Sequence, residues 1–174
     1  MDPWAIDDTH FRQRGSRCRG SVCPEVRDPI LLHTWTHKTL GDSGAVRRRV
    51  GKPVYRRLPG AFEGPTCAAL LQRFYRARTR GPRRAVGVSD NASFCHPRIH
   101  KEWRAERTGR SELSFLPAAS PELNPIERVW KLTRRRCLHT RYFPTLDSIP
   151  EAGESTFDDW RAPNETLRRL CAIN

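Results

Sequence analysis

The stretch "SELSFLPAASPELNPIERVWKLTRRRC", residues 111–137, passes from a short strand to a strongly amphipathic helix. The segment "ELSFL" reads as a strand. "NPIERVWKLTRRRC" reads as a helix opened by Asn124 as N-cap, with Pro125 at the first helical position. With about 100° of turn per residue, Ile126, Val129, Trp130, Thr133 and Cys137 share one apolar stripe about 100° wide, which should face a sheet. Glu127 falls at the edge of that stripe, one turn before Lys131. An acid in the first turn suits the helix dipole, but this acid is followed by Arg134, Arg135 and Arg136.

Upstream, "AVGVSDNAS" is an apolar run closed by Asp90, the pattern of a buried parallel strand running into a loop. "HPRIHKEWRAER" reads as a helix between that strand and "ELSFL". The first 58 residues are different in kind. "PWAID", "GSRCRGSV", "ILLHTWTHKTLG" and "KPVYRRL" are strand-like segments separated by Gly, Pro and Asp. They read as an antiparallel meander whose first strand ends at Asp7. A helix over residues 66–79 follows, and the tail from Thr145 holds weak helices interrupted by Pro150, Gly153 and Pro163. The order of elements predicts an α/β layer structure: a mixed sheet, antiparallel meander first and parallel strands after, flanked by helices. Residues 1–144 form the main domain in this reading, and 145–174 a helical extension packed on it.

The 174 residues carry 32 Lys and Arg against 19 Asp and Glu, a formal charge of +13, which makes nucleic acid the first candidate partner. The N-terminus has neither a signal-peptide pattern nor an apolar run long enough to span a membrane, and the six cysteines are scattered. Reduced thiols, a cytoplasmic location on the nucleoid and no membrane partner are the expectations. Within so basic a chain, Asp7 and Asp90 end two candidate strands and Glu127 begins a nearby helix. In open α/β sheets ligands gather at the carboxyl ends of parallel strands. Carboxylates converging there suit Mg²⁺, which takes oxygen ligands and keeps waters for a substrate phosphate.

"VSDNASF", followed by "LSFLPAASPELNPIERVWKLTRRRCLHTRYFPTL", closely resembles the catalytic domain of DDE transposases of the mariner-like superfamily, in its bacterial insertion-sequence branch. "DDTHFRQRGSRCR" resembles the first-acid segment of that branch, so the resemblance runs from about Ile6 to the C-terminus. It implies an RNase H-like fold with Asp7, Asp90 and Glu127 as the catalytic, metal-binding triad for two Mg²⁺ or Mn²⁺ ions. The 37 positions from Asp90 to Glu127 are close to the spacing typical of such proteins. The implied chemistry is hydrolysis at transposon ends, then attack of the freed 3′-hydroxyl on target DNA. Asn91 and Asn124 would orient the acids and the backbone.

Lys131, Arg134, Arg135 and Arg136 are the candidate DNA-binding residues, by position beside Glu127. The sequence departs from the family pattern at Asp8, where a glutamate is usual, and in "LPAASPEL", which lacks the more typical Pro-Tyr pair. With six residues before Asp7 and no helix-turn-helix reader of transposon ends, the reading is a catalytic part of a split or decayed element. Two further partners stay open: a separately encoded helix-turn-helix half and a second copy of the chain.

Two other functions compete. Cys18, Cys23, His33 and His37 form C-x4-C-x9-H-x3-H, near a zinc-finger spacing, although the loop is short and "PEVRDPILL" does not read as a ββα unit. Another RNase H-like nuclease would share the triad, and only "SPELNPIERVW" favours transposition over it. His96 and His100 lack a third ligand nearby in sequence, and Trp103 and Trp130 occupy apolar helical positions as core anchors.

Overall fold

The computed structural model describes residues 1–13, 36, 38–58, 62–77, 83–90, 101–139 and 141–172. Five strands form one sheet in the order β3-β2-β1-β4-β5: β1 is Asp2–Arg12, β2 Thr39–Arg47, β3 Lys52–Leu58, β4 Ala85–Ser89 and β5 Ser111–Phe115. The first three pair antiparallel, and β4 and β5 join in parallel. The helices are α1 (Gly64–Ala77), α2 (Lys101–Ala105), α3 (Ile126–Cys137), α4 (Ser148–Asp158) and α5 (Glu165–Leu170).

Side chains alternate across a strand, and β1 uses the alternation to serve two cores. Trp4 and Ile6 pack with Ala45, Leu70, Phe74 and Ala85, which brings α1 onto one face. Ala5 and Phe11 join Val46, Val129, Trp130 and the tail residues Phe157, Trp160 and Leu167 on the other. The predicted stripe of α3 is the one buried: Ile126, Val129, Trp130, Thr133 and Cys137. Gly44 lets α3 settle, since a Cβ there would lie 2.6 Å from Cη2 of Trp130.

The structure corrects several expectations. Asp7 does not end β1; the strand continues to Arg12 because β2 pairs with it throughout. What ends near Asp7 is the parallel ladder, whose last pair is Ile6 with Ser89. Asn124 does not cap α3 with its side chain; Pro125 is the N-cap, and the Asn124 amide donates instead to the Ile6 carbonyl at 2.9 Å. Pro150 and Gly153 do not interrupt α4. Pro150 sits in its first turn, where no intrahelical N–H bond is lost. Cys67 is in a disulfide, against the expectation of reduced thiols throughout, whereas Cys137 and Cys171 are free and buried.

The tail is latched to the sheet at both ends of α5. Gly51 turns the β2–β3 hairpin at φ 64°, and a Cβ there would come within 2.0 Å of the Asn164 carbonyl oxygen. The Asn164 N–H donates to the Val50 carbonyl at 3.0 Å. At the other end, Arg128 of α3 donates to the carbonyls of Leu170 and Ala172, both at 3.0 Å, and Arg48 to that of Cys171 at 2.9 Å.

Leu167 is fully buried on α5. Leu167→Ala should therefore lower unfolding stability by about 2–5 kcal/mol in urea titrations. A loss under about 0.5 kcal/mol, typical of surface sites, would mean that the tail is not part of the cooperative core.

Candidate active site

The carboxyl end of the β1–β4 pair gathers the acids. Ser89 lies opposite Ile6, so the chain directions bring Asp90 and Asp7 out side by side where the parallel ladder stops. Glu127 arrives from the first turn of α3, and Asn124, only 1% exposed, ties the start of that helix to the residue before Asp7. The loop leading there from β5 contains Ala119 in the left-handed region at φ 56°, an uncommon conformation for a residue with a Cβ.

Asp7 is 7% exposed, and its Oδ2 accepts a hydrogen bond from the Trp130 indole N–H at 3.1 Å. Trp130 is thus a core anchor, as its spacing predicted, and also the partner of an acid, which its spacing did not predict. Burial pushes the Asp7 carboxyl up to about 8; the negative charges of Asp90 and Glu127 are the next causes, opposed in part by a backbone hydrogen bond from Asp8. Asp8 is pushed up to about 6, again by burial first and also by Asp90, with Ser43 opposite it on β2 offsetting part of the rise. Asp7 therefore feels both other predicted acids, and Asp8, which feels Asp90, is a fourth that was read only as a departure from a motif.

The donor set suits a hard divalent cation. All four groups are carboxylates, and an opposite charge would favour the ionised form of Asp7 and Asp8. Buried Oδ1 atoms of Asp8 and Asn124 have no hydrogen-bond partner among the described residues. Among those residues no three His, Cys, Asp or Glu side chains stand close enough together to hold a metal ion by themselves.

Beside the acids lies a chamber of about 460 Å³ lined by Asp8, Thr9, His10, Arg12, Glu127 and Arg134, with Leu138 at its edge. Arg134 is half-buried, donates to the Thr9 hydroxyl and lies over the Phe11 ring at 5.9 Å. The other predicted DNA-binding residues are spread around α3. Lys131 and Arg135 are exposed, and Arg136 lies over Trp160 at 5.6 Å, on the side of the tail. His10, edge-on to Phe62 at 4.3 Å, is held below its usual range by partial burial and then by Arg12 and Arg134.

Trp103 is half-buried, with the Arg107 guanidinium 4.5 Å from its ring centre, so it anchors less of the interior than Trp130. The Cys18, Cys23, His33 and His37 set, together with Asn91, His96 and His100, lies outside the described residues. No helix among the described residues is long and apolar enough to cross a membrane.

Known proteins share this architecture. The strand transfer complex of Mos1 superposes with a TM-score of 0.66 at 16% identity, over 98% of this chain and 50% of that one. The Mos1 mariner paired end complex with Mn gives 0.68 at 16% identity, over 98% and 51%. The catalytic domain of Mos1 mariner transposase gives 0.61 at 14% identity, over 98% and 75%. The chain thus has the RNase H-like fold of that catalytic domain and spans about half the length of the Mos1 chains in the complexes. An uncharacterized protein of Sinorhizobium fredii is 51% identical over 37 residues, which are 21% of this chain and 27% of that protein. Residues 2–150 match the family model described as DDE superfamily endonuclease, and the chain belongs to that family.

Proposed function

We propose that this chain is a transposase catalytic domain that cuts and rejoins DNA strands with the help of divalent cations. The observation that carries the reading is that Asp7, buried where the parallel strand pair ends, feels the charges of both Asp90 and Glu127. Membership of the endonuclease family supports it. So does the fold shared with Mos1, whose structures include a strand transfer complex and paired end complexes with Mn and with Mg.

Asp7, Asp90 and Glu127 would hold two Mg²⁺ or Mn²⁺ ions. Such ions, when bound, lower the pKa of a water and stabilise the leaving oxygen of an in-line displacement. The protein's own contribution is placement. Trp130 fixes Oδ2 of Asp7 by its N–H, and Asn124 pins the strand to the helix that carries Glu127. In the first step water forms a new P–O bond as the P–O3′ bond breaks, and the strand leaves as a 3′-hydroxyl. In the second step that hydroxyl forms a P–O bond to a phosphate of target DNA as the target's own P–O3′ bond breaks and its 3′-hydroxyl leaves, again without a covalent enzyme intermediate. The net charge of +13, with Lys131, Arg134, Arg135 and Arg136 around α3, would draw the polyanion to the protein.

Duplex DNA with Mg²⁺ should be nicked, chelator should stop the reaction, and Asp90→Ala should slow it by on the order of a thousandfold, or ~4 kcal/mol in barrier. Metal-dependent nicking that is unchanged in Asp90→Ala would dismiss the assignment. Nicking without joining of 3′-ends to a second duplex would point to an RNase H-like nuclease of another kind.

Trp130→Phe keeps the ring in the core but removes the bond to Asp7. It should weaken Mn²⁺ binding by about 10–100-fold in calorimetric titrations, the range usual for partners of metal ligands. Unaltered affinity would reduce Trp130 to a packing residue.

The raised Asp7 pKa has a sign that can be checked without activity. The folded carboxyl keeps its proton to about 8, whereas the unfolded one loses it near 3.8. Unfolding therefore releases a proton between those values, and stability in EDTA should fall as pH rises through this window, then level off. The full span is worth at most about 6 kcal/mol. Asp8 adds a smaller fall in the same direction up to about 6. Asp7→Asn should flatten most of the slope in urea midpoints measured against pH, and an unchanged slope would contradict the burial described.

A further inference from the structure

The three arginines that end α3 are adjacent in sequence but not equivalent. Arg135 is exposed, and Arg136 rests on Trp160. Arg134 is half-buried, pinned by the hydroxyl of Thr9, itself only 4% exposed, and backed by the Phe11 ring. Among the described residues no carboxylate lies within ion-pair distance of Arg134, although Glu127 lines the same chamber. A cation fixed partly out of water with no counter-charge is costly unless an anion completes it. A guanidinium has five donors in a planar fork, and the donors not used on Thr9 suit the paired oxygens of a phosphate.

The position is also informative. β4 accompanies β1 only to Ile6, and the chamber follows the next stretch of β1, from Asp8 to Arg12. Thr9 lies two residues beyond Asp7, about 7 Å along an extended strand. An anion on Arg134 would thus be displaced from the acids by a short step along the strand, with Arg12 as a second cation at the chamber wall.

We infer that this chamber seats one backbone phosphate of the DNA strand, a neighbour of the phosphate being cut, on Arg134 held by Thr9, with Arg12 assisting. The inference deepens the transposase reading and rests on it for the identity of the ligand. The remaining basic residues of α3 then supply diffuse attraction, and Arg134 supplies register. Arg134 would contact substrate directly, and Thr9 is its positioning residue.

The test is binding of the single-stranded tetranucleotide (dT)4 in EDTA, followed by fluorescence anisotropy, so that cleavage plays no part. Arg134→Ala should weaken binding about tenfold and reduce the salt slope by about 0.7, the value of one single-strand phosphate contact. Arg135→Ala should weaken it less than about threefold, and Arg134→Lys should restore the slope but not the affinity, because the fork is lost.

Neutralising the internal phosphates of (dT)4 one at a time as methylphosphonates supplies a check on the wild-type protein itself. One position should cost wild-type affinity while leaving Arg134→Ala nearly unaffected. Equal losses in the two proteins at every position, equal effects of Arg134→Ala and Arg135→Ala, or no binding of (dT)4 by wild type would each overturn the seat. If the seat holds while Asp90→Ala still cleaves normally, the catalytic reading alone fails. If Asp90→Ala is dead and the coupling is absent, only the seat fails.

Discussion

The hydrogen bond from Trp130 to Asp7 joins two parts of the molecule with opposite needs. Trp130 belongs to the large cluster between the sheet and helices α3, α4 and α5, where burial of apolar surface drives assembly. Asp7 belongs to a group of acids that repel one another. Packing fixes the indole, the indole fixes the Asp7 carboxyl, and the hydrophobic interior thereby holds that carboxyl against the charges of Asp90 and Glu127. Gly44 is part of the same device, since only a residue without Cβ leaves the ring its place over β2.

The acids and the basic surface are complementary parts of one electrostatic arrangement. A chain of charge +13 attracts polyanions generally, but attraction alone does not select a reacting bond. In the proposed reading the acids supply a point where local charge is reversed, and a divalent cation would reconcile them with an anionic backbone. Arg134 is set apart from the other helix cations by being held, through Thr9 and Phe11, to the strand that carries Asp7. The spacing between acid and guanidinium is therefore a property of β1 and not of a flexible side chain.

Much of this was legible in the sequence, because helical periodicity and strand pattern are local. The buried stripe of α3 and the bounds of β3 and β4 were predicted from residue order alone. Asp90 also lies where the apolar run placed it. What the sequence hid was pairing over distance. The Trp130–Asp7 and Asn124–Ile6 bonds link residues 123 and 118 positions apart, and no periodicity reports such partners. For the same reason Asn124 looked like a helix cap: its type suits one, but tertiary burial gave its amide another acceptor. Asp7 looked like a strand end because β2, which continues β1 to Arg12, is itself a weak pattern containing Gly41, Asp42, Ser43 and Gly44. Asp8 was hidden because neighbours on a strand point to opposite faces, a rule that separates it from Asp7, whereas beyond the end of β4 the open edge of β1 lets it line the same chamber as Glu127.

The latch at Gly51 carries a consequence for how such chains diverge. Hairpin tips are usually where related proteins differ most in length and composition. This one touches the backbone of Asn164 and Arg168, and the far end of α5 is gripped by Arg128, the immediate neighbour of Glu127. A drifting hairpin would need matching drift in the last helix. The tip of β2–β3 and the C-terminal helix should therefore evolve as a coupled pair.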